Sequence, residues 1–393
     1  MILRPLPWLA AALLLSACAQ HPEAPASPDS RIDRFMAGAY QPLRVPVQGW
    51  HAEWTLDGEV LEVDWLAPQT GSALPVILYL PGLGEGSGAA EPWRRAWAEA
   101  GYAVLAVQPQ RHGRGIYASQ EAQAGVFHAI AQRAYADEAL QRRLRQLGQV
   151  LQEARQRAEA GDGDFARIDW TRQAVAGFDL GTQTATALLD GQHGWTPRAA
   201  ILLSPYAPAP EVAQRISIPL LSATGQADED PFNWVTPAQR HQLFWQHLEA
   251  AGSYQLLLDR MSHAQLGGAF AAGPGGGGRA EGDKPRGRPE GGGAPGGSAG
   301  SGMGGGQAGP GGPGGPDGRR GDAGGGRAGY GRGGEAAVDP RQAAALRAVS
   351  VAFLDTHVQA SGEARTWLEW DANRWLAPSA RLEAKNHTLE KKP

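Results

Sequence analysis

Six short runs of the chain are apolar without alternation: 75–80 (PVILYL), 102–107 (YAVLAV), 174–177 (AVAG), 199–204 (AAILLS), 218–223 (IPLLSA) and 254–258 (YQLLL). Runs of this kind suit parallel strands covered on both faces. Residues 51–66 (HAEWTLDGEVLEVDWL) instead alternate apolar and polar positions about Asp57-Gly58, which predicts an antiparallel hairpin. Amphipathic helical patterns lie between most of the runs, at 91–100, 134–158, 242–251 and 342–359. A hairpin leading into strands joined by crossover helices predicts one α/β domain. It should hold a mainly parallel central sheet with helices on both faces and no large cap domain.

Composition sets the limits of that domain. Of the 55 glycines, 31 lie between Gly273 and Gly334, where Met303 and Tyr330 are the large apolar side chains. Such a stretch cannot bury enough surface to offset its ordering entropy, so 273–334 is expected to be a disordered Gly/Pro-rich insert. The folded domain then comprises 38–272, with 335–393 as its C-terminal helical part. Glycine recurs every third residue from Gly309 to Gly324, but six triplets are too few for a stable triple helix. A net charge of −4 gives no case for nucleic acid.

The first 18 residues, MILRPLPWLAAALLLSAC, place one arginine before an apolar run too short to span a bilayer. The ending Leu15-Ser16-Ala17-Cys18 resembles a bacterial lipobox. That resemblance implies a lipoprotein signal peptide over 1–18, lipidation of Cys18, and a Pro/Ala/Ser-rich tether over 19–37. The address implied is the bacterial cell envelope, lipid-anchored; Ala19, not aspartate, follows the cysteine, which favours the outer membrane. Cys18 is the single cysteine, so the mature chain holds no disulfide.

Four pieces of candidate chemistry follow in order. Leu80-Pro81-Gly82-Leu83-Gly84-Glu85-Gly86 leaves an apolar strand, and its glycines let backbone N–H groups turn toward a developing oxyanion, with Leu83 as the donor. Val175-Ala176-Gly177-Phe178-Asp179-Leu180-Gly181 has the shape of a strand–turn–helix nucleophile elbow, with Leu180 N–H as second donor and aspartate at the central position. A plainer account makes Asp179 a helix N-cap. Thr224-Gly225-Gln226-Ala227-Asp228-Glu229-Asp230-Pro231 offers Asp228 as an orienting acid, with Asp230 second. Leu258-Asp259-Arg260-Met261-Ser262-His263 follows the last apolar run and offers His263 as base. His112 follows another strand and is expected to shape its loop. The histidines lack metal-site spacing and no phosphate loop is present, so neither metal nor cofactor is expected. Trp50, Trp54 and Trp65 are expected to pack on the hairpin, Trp367, Trp370 and Trp375 to form a set at the C-terminus, and Trp234 to border the site.

Residues 51–270 and 340–369 together resemble the dienelactone-hydrolase and platelet-activating-factor-acetylhydrolase-like branch of the α/β-hydrolases. The resemblance rests on the T-G-x-x-D-x-D-P segment, the Y-x-L-L-L…H-A-x-x-G-G segment and the closing A-L-R-A-V-S-V-A-F-L-D helix. It implies the α/β-hydrolase fold and a site of Asp179, His263 and Asp228. The departure is Asp179, where those families carry serine. An elbow aspartate is similar to that of haloalkane dehalogenases and epoxide hydrolases. Here, however, Leu180 stands in place of their tryptophan, and residues 207–217 are too few for their cap with its tyrosines. Any lid is expected from 116–136. Three outcomes stay open: Asp179 attacks a saturated carbon of a small molecule; Asp179 and His263 activate water against an ester or lactone; or the fold is an inactive binding module.

Overall fold

The computed structural model describes residues 28–270 and 339–385. The signal peptide over 1–18 with Cys18, the first part of the tether and the insert over 273–334 lie outside the described residues.

The hairpin forms as the alternation requires: β1 (Val47–Leu56) pairs antiparallel with β2 (Glu59–Pro68) about Asp57 and Gly58, both at positive φ. The apolar runs become β3 (Leu74–Leu80), β4 (Ala103–Pro109), β5 (Ile168–Phe178), β6 (Ala199–Leu203), β7 (Leu220–Thr224) and β8 (Tyr254–Leu257). With β9 (Arg381–Ala384) they build one nine-stranded sheet in the order β1-β2-β4-β3-β5-β6-β7-β8-β9. The pairs from β4 through β8 are parallel, while β1–β2, β2–β4 and β8–β9 are antiparallel.

Each strand divides its side chains between two cores, which is why the sequence runs are apolar throughout. Ile77 and Tyr79 of β3 enter one core, with Trp93 and Trp97 of α2 (Glu91–Glu99) and Leu346, Val349 and Phe353 of a long C-terminal helix. Val76, Leu78 and Leu80 enter the other, with Leu144, Leu147, Val150 and Leu151 of a second long helix. The helices, in chain order, are α1 (Pro28–Met36), α2, α3 (Gln120–Gln123), α4 (Phe127–Tyr135), α5 (Asp137–Glu159), α6 (Leu180–Ala187), α7 (Pro210–Gln214), α8 (Leu243–His247), α9 (His263–Leu266) and α10 (Pro340–His357), followed by shorter helical turns within 362–376. This sheet order, with helices on both faces and a strand–turn–helix elbow after β5, is the α/β-hydrolase fold.

Three local expectations are corrected. The tether over 19–37 contains α1, because Phe35 presents an apolar face that stacks on Trp375 at 4.4 Å and the Trp375 indole N–H donates to the Phe35 carbonyl. The helical part over 335–393 also supplies strand β9, whose four residues are too short a signal to read beforehand. The helix expected over 242–251 stops at His247, and the chain turns through Gly252 at φ 74°. Of the tryptophans expected at the hairpin and the C-terminus, Trp50, Trp54 and Trp65 gather on Phe165, and Trp367 packs on Trp375, while Trp370 faces solvent.

Candidate functional site

Asp179 sits between the end of β5 and the start of α6 at φ 48°, ψ −116°, a backbone conformation that L-residues rarely adopt and that costs about 1–3 kcal/mol. The flanking glycines make the turn possible. A Cβ at Gly177 would lie 2.5 Å from the Gly181 carbonyl oxygen, and one at Gly181 would lie 1.9 Å from the Leu80 carbonyl oxygen. The side chain of Asp179 makes no capping hydrogen bond to α6, so the N-cap account fails.

The carboxylate is instead held from two sides. Leu83 N–H donates to Oδ2 at 3.0 Å, and the Tyr135 hydroxyl donates to Oδ1 at 2.7 Å. Leu180, the second expected donor, is buried at the first position of α6 in a cluster with Leu83, Tyr135 and Phe232. The loop that carries Leu83 is fixed by the Gln108 side-chain amide, which donates to the Gly82 and Glu85 carbonyls, and by Gly84 N–H, which donates to the His112 carbonyl. His112, expected to shape its own loop, here holds the Leu83 loop through its backbone carbonyl. Burial is the main influence on Asp179 and raises its pKa, with the Asp230 charge adding to it. The His263 charge and the two hydrogen bonds act the other way. Glu85 is partly exposed as a residue, but its carboxyl turns inward to accept the Gly82 N–H at 2.9 Å. Burial lifts it to about 7 against that bond, with the Asp179 charge adding to the rise.

Tyr135 arrives on α4, within the stretch expected to supply a lid. Helices α3 and α4 lie there, and Tyr135 stacks on Trp234 at 5.1 Å, which brings Trp234 to the border of the site. A tyrosine thus faces the elbow although residues 207–217 hold no cap. The hydroxyl comes from the segment between β4 and β5, not from one after β6. Arg143 of α5 bolts this cover down, donating to the Ala134 carbonyl, Thr184 Oγ1 and Gln183 Oε1 at 2.6–2.8 Å.

Asp228 and His263 come together at the ends of β7 and β8. His263 Nδ1 lies 2.9 Å from Asp228 Oδ1. Asp228 also accepts from Ser204 Oγ at 2.7 Å and Thr224 Oγ1 at 2.6 Å, and Ser204 Oγ lies 2.9 Å from His263 Nδ1. Asp230 binds differently: its carboxylate accepts the N–H groups of Phe232, Trp234 and Val235, so it builds the loop while Asp228 orients the histidine. Burial pushes Asp228 up, but the His263 hydrogen bond and the neighbouring His241 and His263 outweigh it and hold the carboxyl below its ordinary value. Burial likewise opposes the charge on His263. The hydrogen bond to Asp228 and the charges of Asp228, Asp179 and Asp230 override it and raise the imidazole to about 9.

Two buried groups bring ligand atoms within 4.8 Å of one another: Asp179, Asp230 and His263, and Asp228, His241 and His263. They share the donor types of a cation site, although the second is already tied together by the Asp228–His263 hydrogen bond. Sequence spacing missed them because the residues come from separate strand ends. It also missed Ser204, Tyr135, His241 and Arg143. Ser204 alone left a trace, as the polar end of a run otherwise apolar.

No family model matches the chain, and no curated protein sequence matches it. Among solved structures the chain is similar to a ferulic acid esterase from Streptomyces cinnamoneus, at 14% sequence identity and a TM-score of 0.46, over 82% of this chain and 93% of that one.

Proposed function

We propose that this protein is a hydrolase in which Asp179 is the reacting carboxylate, His263 the base and Asp228 the residue that orients it, acting on an ester, lactone or other small electrophile. The observation that carries this proposal is the placement of the Asp179 carboxylate, with Oδ2 on the Leu83 N–H and Oδ1 beside the Tyr135 hydroxyl. That arrangement suits attack by Oδ1 on a saturated carbon. The carbon–leaving group bond breaks as the Oδ1–carbon bond forms, and the electron pair departs with the leaving group. If this is an epoxide oxygen, it takes the Tyr135 proton, which solvent then replaces. The product is an alkyl ester of Asp179. Water loses a proton to His263 and adds to Cγ of Asp179, and the negative charge gathers on Oδ2, where the Leu83 N–H already lies. Collapse expels the alkoxide, which takes the proton from His263, and the new carboxyl group ionises.

The charges support this order of steps. At rest His263 is protonated opposite a buried carboxylate. Alkylation removes the Asp179 charge, which is one of the influences that raise His263, so the imidazolium releases its proton to solvent more readily and is neutral when water must be activated. With an acyl carbon, carboxylate attack would expel a more basic alkoxide to leave a mixed anhydride, which is uphill. On esters and lactones Asp179 and His263 therefore act together on water.

One observation favours the inactive alternative: Asp179 is only 3% exposed and both its oxygens are engaged. The test is hydrolysis of short-chain aryl esters, lactones, epoxides and haloalkanes by the wild type, Asp179→Asn and His263→Ala. Turnover abolished by both changes supports the hydrolase. Wild-type silence with esterase activity in Asp179→Ser supports the binding module.

We also propose, from the sequence motifs, that the chain falls in the dienelactone-hydrolase-like branch. On the same footing, Cys18 is lipidated and anchors the protein in the bacterial envelope at the outer membrane, and 273–334 is an insert within a domain formed by 38–272 and 335–393. Replacing Cys18 with alanine should move the protein out of the membrane fraction; retention there overturns the anchor.

A further inference from the structure

We propose that the substrate carries a carboxylate, held by Arg142 and His112 in a cavity of about 700 Å³ behind the oxyanion loop. This rests on the hydrolase proposed above and names its substrate class. The cavity lies within the range of small-molecule sites, about 300–1,000 Å³. Leu83 lines it, and Leu83 supplies one donor to Asp179; Ala134 lines it too, next to Tyr135, which supplies the other. A molecule seated there thus borders one anchor of the Asp179 carboxylate and the chain neighbour of the other.

The charge of the lining is one-sided. Arg111, Arg133 and Arg142 face the cavity against the single carboxylate of Glu59. Arg111 is paired with Glu59 and Arg133 with Glu121, whereas Arg142 makes no ion pair within 4 Å among the described residues. His112 is 8% exposed, and its Nε2 is buried without a partner among the described residues. A buried ring nitrogen left unpaired costs stability unless something fills it. Burial first, then Arg143, Arg111 and Arg142, push His112 down to about 3, so it is neutral at pH 7 and can present Nε2–H. The positive field that adds to burial in keeping His112 uncharged also attracts an anion. The planar guanidinium of Arg142 matches a carboxylate, with the His112 N–H as an additional donor.

The experiment uses the full chain in detergent, with succinate as the binding probe. Succinate affinity is measured by calorimetry, and kcat/KM is compared for 4-nitrophenyl acetate and mono-4-nitrophenyl succinate. Arg142→Ala should weaken succinate binding, and the preference for the charged ester, by at least about tenfold. Arg142→Lys should recover part of each, and Asp179→Asn should still bind succinate. Equal succinate affinity in wild type and Arg142→Ala, or an unchanged ester preference, overturns the proposal even where the neutral ester is hydrolysed. Succinate binding that depends on Arg142 in a chain that turns over neither ester keeps the site and sinks the hydrolase instead. A loss of helicity in Arg142→Ala transfers the comparison to Arg142→Gln.

Discussion

The Tyr135 hydroxyl donates to Asp179 Oδ1 at 2.7 Å across 44 residues of sequence, so the segment that covers the site is fastened to its central carboxylate. The fold reaches this without a cap after β6. The cover is an insertion after β4, pinned from beneath by Arg143 and from the side by Trp234. The hydrogen bond favours the charged form of Asp179, while burial disfavours it, and burial is the larger influence.

Replacing Tyr135 with phenylalanine keeps the ring on Trp234 and removes the hydroxyl. Asp179 loses one of the bonds that stabilise its charge, so its pKa rises further. For an epoxide substrate the leaving oxygen also loses its proton donor. We expect kcat to fall by at least about tenfold with KM little changed, because general-acid help is worth about 10²–10⁴ in rate. Stability should fall by about 1 kcal/mol in urea unfolding. An unaltered kcat on epoxides assigns the hydroxyl to packing alone.

The pH behaviour of His263 follows from its neighbours. Its folded value of about 9 lies above the unfolded value of about 6.5. The protonated imidazole therefore stabilises the fold fully below about 6.5, and that contribution fades as pH rises through 9. Asp179→Asn removes one of the charges that raise it, so the histidine should titrate at lower pH, and the alkaline loss of stability should begin earlier. NMR titration of the imidazole, alongside chemical unfolding between pH 6 and 10, checks both. An unmoved titration separates Asp179 electrostatically from His263.

Most of the sheet could be read from the chain because its strands are buried on both sides. Runs such as 76–80 and 199–203 are apolar at every position because both faces of the sheet are covered, and their short length marks them as strands. The elbow was readable for a different reason: the turn at Asp179 tolerates only glycine at 177 and 181, which leaves a fixed spacing. Asp228 and His263 could be singled out by their places after strands, and the hydrogen bonds show that it is Asp228, not Asp230, that adjoins the imidazole Nδ1. What stayed hidden depends on tertiary approach. Nothing in residues 127–135 distinguishes Tyr135 from other polar positions of an amphipathic helix, and His241, in the turn at 238–242, meets Asp228 only through the folding of the long connection between β7 and β8. Strand β9 exists because β8 offers an edge to pair with.

Gly181→Ala tests the elbow itself. The added Cβ meets the Leu80 carbonyl carbon and oxygen and the Pro81 carbonyl oxygen, all backbone atoms, at 1.9–2.8 Å. Backbone on a central strand cannot move aside, so α6 must shift and carry Asp179 with it. We expect a loss of several kcal/mol and disappearance of activity, as for other severe backbone strain. Gly88→Ala, which places its Cβ in open space, is the control and should unfold within about 1 kcal/mol of the wild type. Normal stability in Gly181→Ala overturns the described turn.

Arg143 is a buried charge beneath the cover, and its removal should loosen the site without touching Asp179, Asp228 or His263. It is buried, and all its hydrogen bonds go to neutral acceptors: the Ala134 carbonyl, Thr184 Oγ1 and Gln183 Oε1. Burial lowers it to about 10, opposed by Tyr135 and Asp179, so it stays charged at neutral pH. Arg143→Met fills much of the same volume but leaves those acceptors without a donor, at a cost of about 3 kcal/mol. Because Gln183 also donates to the Tyr135 carbonyl at 2.9 Å, the end of α4 loses support and the cover over Asp179 should open more often. Hydrogen exchange should then rise across residues 127–135 while the strands of the sheet stay protected. Arg143→Lys, with one ammonium in place of a three-way fork, should recover the charge but not the protection. Equal exchange in the wild type and both variants assigns the closure of the site to Tyr135 and Trp234 instead.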